Sequence, residues 1–340
     1  MSLRLKQAPK VWKLASDLGL KKTDDPVAVI LRYCDRKVRG FLHDNPDCVS
    51  PSDLLDWVAS KVGTRFEIAN TTHELLYIKQ KYVARGEKIF ARLIEEFPDD
   101  VFGITFRLSN REGWEPEFVS IIDCRDHKAT RRYYTKWHEI AHLLVQTDQM
   151  RLSFRRTHCE AGLKDPEEAL IDVIAGRFAF YQPFIKEHAK GELSFETIEE
   201  LRARLCPEAS QQSALIGFVS AWPEPCLLVQ AQPALRRHEQ ALLGHESFGL
   251  IEEPQPSLRA VKVSPNDAAR EIGLKIFANM RVPEQSVIYK TFIGEIDSGE
   301  AEEDLHWWQA SSGTQLQKRR VRVLARQAWG AVQALILPID

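Results

Sequence analysis

Apolar residues return every three or four positions through LLDWVASKVG (54–63), with Ser52 ahead of them as a cap, and then alternate with polar ones in TRFEIA (64–69). The first period predicts an amphipathic helix and the second a half-buried strand, so a domain is expected to start near residue 51. A further helix is expected around GEKIFARLIEEF (86–97). Two β-rich runs, VFGITFRL (101–108) and EFVSIIDC (117–124), flank the turn-rich SNREGWEP and read as an antiparallel pair. Helical periodicity returns over 131–147 and 166–181, joined by a polar linker containing RLSFRRTHCEAG. Helix, short sheet, helix, helix is an α+β order.

Past Gly191 the pattern changes. ETIEELRARLC and QQSALIGFVSAW form a helical pair around Pro207 with the outline of a helix-turn-helix. The second helix is too apolar to read a DNA groove, so packing is its expected role. Candidate strands CLLVQAQ, LRAVKVS, SVIYKTFIG, RVRVLAR and AVQALILP follow, with a helix near NDAAREIGLKIFANM. The chain thus divides into an N-terminal helical extension (1–50), an α+β domain (51–195), a helical linker (196–222) and a second α+β domain (223–340). A length of 340 residues agrees with about two domains.

Composition narrows the class. With 44% hydrophobic and 28% charged residues the chain is neither disordered nor fibrous. The 46 Lys and Arg against 48 Asp and Glu leave a net charge of -2, so any nucleic-acid contact must be local. Two basic stretches qualify: the first 22 residues, and KRRVRVLAR from Lys318, whose alternating arginines fit the exposed face of a strand. No apolar run suits a signal peptide or a membrane span, which predicts a cytoplasmic protein with no membrane partner. The six cysteines show no CxxC spacing, so neither a disulfide framework nor a cysteine zinc finger is expected.

The chemistry concentrates in TKWHEIAHLLV. On a helix His138 and His142 lie one turn apart on one face and can close on a single metal, with Glu139 beside the open coordination position. The surrounding Trp137, Ile140, Ala141, Leu143 and Leu144 make the helix mostly apolar. Two histidines and a glutamate on a buried helix are costly unless something satisfies them. Catalytic zinc needs a third protein ligand. The helix DPEEALIDVIAGRFAFY offers Asp172, a mid-helix carboxylate between Ile171 and Val173, with an arginine salt bridge as its alternative role. Asp165 reads as the N-cap, Pro166 as N1 and Glu168 as the partner in a capping box, which accounts for Glu168 without a metal. Ala169, Asp172, Ala175, Gly176 and Ala179 form a small-residue stripe along which the His138 helix can approach.

RRYYTKWHEIAH, followed by Asp172, Ala175, Phe178 and Ala179, resembles the ImmA/IrrE family of metallopeptidases. The likeness covers about residues 50 to 195. Two positions depart from the family pattern: Asp stands where Glu is usual at the ligand position, and FYQPF replaces the later LLMP. The resemblance implies a zincin-like metallopeptidase domain followed by a helical segment and a GAF-like sensor domain. It also implies Zn2+ as cofactor and a helix-turn-helix transcriptional repressor as protein substrate, cleaved in response to stress or an antiphage-defence signal. The mechanism expected is hydrolysis at zinc with Glu139 as general base. Tyr133, Tyr134, His158 and Tyr181 are the candidates to polarise the scissile carbonyl, and VFGITFRL is a strand that an extended substrate can join unless it is internal to its sheet.

Cys159, between the two ligand-bearing helices, is a candidate inhibitory fourth ligand, since zinc takes thiolate readily. Arg151, Arg155 and Arg156 nearby suit an anionic activator, a nucleic acid or a small molecule. The alternative to an endopeptidase is a non-hydrolytic sensor or anti-repressor with a structural zinc. An intact Glu139 favours the enzyme. A DNA-binding regulator is the third class, resting on the two basic stretches alone.

Overall fold

The computed structural model describes residues 3–20, 24–145, 153–157, 165–236, 239, 255–310 and 313–339. It is a mixed α and β protein of two compact units, Met1–Phe184 with Glu199–Ala214, and Ile185–Ile198 with Leu215–Asp340. Along the chain run α1 (Leu3–Lys6), α2 (Pro9–Asp17), α3 (Pro26–His43), α4 (Pro51–Lys61), β1 (Thr64–Ala69), α5 (Thr72–Ala84), β2 (Val101–Arg107), β3 (Phe118–Asp123), α6 (Arg132–Leu144), β4 (Ser153–Thr157) and α7 (Pro166–Ala179). Then come α8 (Gln182–His188), α9 (Phe195–Leu205), α10 (Gln211–Ala221), β5 (Leu227–Ala234), β6 (Ser257–Pro265), α11 (Asp267–Glu271), α12 (Val287–Phe292), β7 (Ser298–Asp304), β8 (Arg320–Ala328) and β9 (Ala331–Pro338).

The first 50 residues are part of the first unit rather than an extension of it. Val11, Val27, Ile30, Cys34 and Val38 are wholly buried, and Asp35 of α3 takes a two-point ion pair from Arg177 of α7 at 2.7 and 2.8 Å. The α4 cap is Ser50, not Ser52. Its hydroxyl accepts from the Asp53 amide while the Asp53 carboxylate accepts from the Ser50 amide, a capping box with Pro51 in the first helical position.

The sheet of the first unit has the order β1-β3-β2-β4, with β1 parallel to β3 and the other pairs antiparallel. The expected β2–β3 hairpin is there. The polar linker after α6 supplies β4, an edge strand paired with β2. That places β2 inside the sheet, so VFGITFRL has no free edge for a substrate. Side chains alternate across the sheet. Ile104, Phe106, Val119, Ile121 and Ala69 join Leu75, Ile78 and Tyr82 of α5 and Phe90 in one core. The opposite face carries Thr64, Gly103, Thr105 and Ser120 and receives α6.

The second unit is built on an antiparallel sheet of order β6-β5-β9-β8-β7. SVIYKTFIG, expected as a strand, is helix α12. The Ser286 hydroxyl caps it by accepting from the Ile288 amide, and Val287, Ile288 and Thr291 turn inward together. The expected long helix from Asn266 shortens to α11. The alternating arginines of β8 do lie on a strand: Arg320 and Arg322 pair with Glu302 and Glu300 of β7. Among the described residues, no helix is long and apolar enough to cross a membrane, and Cys34, Cys48, Cys124, Cys206 and Cys226 are free and buried.

Candidate metal centre

A buried lysine fixes the approach to α6. Lys128 donates to Asp123 at the end of β3 (2.7 Å) and to the carbonyls of Pro98 and Val101 (3.0 and 2.9 Å). Burial raises the Asp123 pKa, but the bonds from Arg125 and Lys128 outweigh it and leave the carboxyl below its ordinary range. Helix α6 then runs between the sheet and α7. Trp137 stacks on Phe178 with ring centres 6.2 Å apart, and the Tyr133 hydroxyl donates to the Ala179 carbonyl at 2.6 Å, in the last turn of α7. The small-residue stripe of α7 contributes as expected: Ala175 and Ala179 are fully buried, and the Tyr134 hydroxyl donates to the Asp172 carbonyl at 2.8 Å.

His138, His142 and Glu168 form a group whose donor atoms all lie within 4.8 Å of one another. His138 and His142 are 0% and 2% exposed, and Nε2 of each faces a Glu168 oxygen, at 3.2 and 3.4 Å. Burial pushes the Glu168 carboxyl up in pKa, but hydrogen bonds from both histidines and their charge prevail and hold it far below the carboxylate range. On its other side, His138 Nδ1 meets Asp172 Oδ1 at 2.9 Å. His138, His142 and Glu168 are the residues that would hold a cation here, with Asp172 beside the other ring nitrogen of His138.

This arrangement corrects the sequence reading of the third ligand. Asp172 is not in the donor group; it lies on the other side of the His138 ring, at Nδ1. Glu168, explained in the sequence as a capping-box partner, ranks there behind Asp172 as a ligand and next in line to it. Asp165 caps α7 as expected, accepting from the Glu167 amide at 2.9 Å, while Glu168 turns toward α6 to face the two histidines.

Glu139 is fully buried and its Oε2 accepts from the Thr105 hydroxyl at 2.7 Å. Behind it the Thr105, Ser120 and Thr64 hydroxyls continue in line at 2.7 and 2.9 Å, across β2, β3 and β1. Each hydroxyl has one proton. Once Thr105 gives its proton to Glu139, Ser120 must donate to Thr105 and Thr64 to Ser120, so a single polarised chain ends on the carboxylate. Gly103 makes room for it. A Cβ there would lie 2.7 Å from Thr135 Cγ2 and 2.8 Å from Glu139 Oε1. Gly103→Ala is therefore expected to displace the Glu139 carboxylate and to cost about 1–3 kcal/mol of stability, read by denaturant unfolding. Stability equal to that of the parent protein would show that the two side chains yield freely.

Gly103, Thr105 and Ser120 were not singled out from the sequence. Their signal is a glycine and two hydroxyl residues on the inward face of otherwise apolar strands. Of the tyrosines proposed to polarise a carbonyl, Tyr133 and Tyr134 use their hydroxyls on the α7 carbonyls, and Tyr181 packs against Phe178 and Phe184. His158 and Cys159 lie outside the described residues, so their proposed roles do too. No protein-family model matches this chain, and no curated protein matches it significantly.

Proposed function

We propose that this chain is an intracellular zinc-dependent endopeptidase of the ImmA/IrrE type, with a zincin-like first unit and a GAF-like sensor unit, acting on a helix-turn-helix repressor. The observation that carries the reading is the convergence of His138, His142 and Glu168 beside a fully buried Glu139. Two imidazole nitrogens and one carboxylate oxygen are a donor set suited to catalytic zinc, which leaves one position open. When bound, the ion supplies Lewis acidity toward water and toward the scissile carbonyl. Glu139 takes up the proton of the attacking water on its carboxylate and returns it to the leaving amine. Thr105 fixes the plane of that carboxylate through Oε2, and Asp172 fixes the His138 ring through Nδ1. Pairing with an extended substrate falls to the edge strand β4 rather than to β2.

A non-hydrolytic anti-repressor with a structural metal is the second reading. It leaves unexplained a buried carboxylate oriented by a chain of three hydroxyls at the donor group. The deciding experiment incubates the protein with the repressor encoded beside it and follows the products by mass spectrometry. The expected result is one or a few defined cuts that disappear in Glu139→Gln, and no digestion of casein. Binding without any cut would favour the anti-repressor; rapid casein digestion would remove the narrow-substrate reading.

A further inference from the structure

The second unit holds a cavity of about 250 Å³ on which three arginines converge. Arg259 comes from β6, Arg236 from the residues just after β5, and Arg281 from an extended segment laid along β6. That segment is fixed by backbone hydrogen bonds, from Ala260 N to Met280 O at 2.9 Å, from Asn279 N to Ala260 O at 2.7 Å and from Val282 N to Leu258 O at 2.9 Å. Trp307, Gln309 and Glu284 also line the cavity.

The three arginines are not equivalent. Arg281 donates to Glu284 at 2.6 Å, and Arg236 lies 3.6 Å from Glu239. Arg259 is only 4% exposed, and its guanidinium donates to the carbonyls of Ala234 (3.1 Å) and Asn279 (3.0 Å). Among the described residues no carboxylate comes within ion-pair distance of it. The excess positive charge of the cluster therefore sits on its most buried member. Burial and then the neighbouring Arg236 charge draw the Arg259 pKa down, with Arg281 adding to the effect against Glu239. An anion in the cavity relieves that strain.

Three arginines lining one cavity suit an anion with several acceptor oxygens, and a phosphate monoester has three terminal oxygens and takes paired hydrogen bonds from several arginines. Trp307, which also lines the cavity, offers the rest of a small molecule an apolar surface. We propose that this cavity binds a small phosphate ester, with the phosphate on Arg259, Arg281 and Arg236 and the organic part against Trp307. Arg281 then exchanges Glu284, which is well exposed, for the phosphate. The site lies wholly in the second unit and does not depend on the metal centre.

Calorimetric titration of the full-length protein with inorganic phosphate, ribose 5-phosphate, adenosine 5′-monophosphate and adenosine tests this. One saturable site for inorganic phosphate is expected, tighter binding of at least one ester, and none of adenosine. Arg281→Gln and Arg236→Gln, both at partly exposed positions, should each weaken phosphate binding about tenfold or more while leaving the melting temperature unchanged. A preference for the nucleotide or for the sugar phosphate identifies the source, and either supports the site. Absence of saturable binding by phosphate and by both esters overturns the proposal. So does equal affinity in the wild type and both arginine variants, or adenosine binding as tightly as its monophosphate.

Discussion

Glu168→Ala protein is expected to purify without bound metal, whereas Asp172→Ala protein keeps its metal with an affinity about 10–100-fold lower. The two carboxylates stand four residues apart on one face of α7, so both reach α6, but they meet different atoms. Glu168 faces Nε2 of both histidines, and Asp172 meets Nδ1 of His138. Removing Glu168 deletes a donor and leaves two imidazoles, too few to retain zinc against a chelator. Removing Asp172 leaves the three donors in place and takes away the carboxylate that meets His138 Nδ1. Elemental analysis after dialysis, with a competing chelator to rank affinities, separates the two. If Glu168→Ala kept full metal and Asp172→Ala lost it, the ligand assignment would return to the one the sequence suggests.

The difference between those two carboxylates shows where sequence reasoning stops. The spacing of His138, Glu139 and His142 states its geometry locally, because one helical turn fixes which side chains share a face. The third donor depends on how far α7 slides and turns against α6, which packing decides. Burial was the wrong guide there, since it favoured the mid-helix Asp172 over a residue at the helix start. Strand β7 was hidden for a related reason: SGEAEED has no apolar face, and its extended form is held by β8, whose Arg320 and Arg322 meet Glu302 and Glu300 while Glu303 turns inward to the Ser286 hydroxyl at 3.0 Å. SVIYKTFIG erred the other way. Its β-branched residues suggest a strand, but the cap at Ser286 and the Thr291 hydroxyl donating to the Val287 carbonyl at 2.8 Å secure a helical turn. By contrast β1, β2, β3, α6, α7 and the strands β5, β6, β8 and β9 were legible, because apolar runs bounded by turn and capping residues mark them in the sequence.

Glu139→Gln is expected to retain the metal and to lose cleavage of the partner repressor by a factor on the order of 10²–10⁴. Glutamine matches glutamate in shape, so it fits the space that Gly103 leaves, and its carbonyl oxygen still accepts from Thr105. The three donors His138, His142 and Glu168 are untouched. What the variant lacks is a basic oxygen to take the proton of the attacking water. Thr105→Val, which removes the hydroxyl but keeps the shape, should lower turnover by less, because the base remains and only its orientation loosens; Thr105→Ser should restore it. Metal content measured on the same samples guards against a trivial loss. Cleavage by Glu139→Gln at the parent rate, with metal bound, would show that the proton is moved by another group and would leave the buried hydroxyl chain as a packing device between α6 and the sheet.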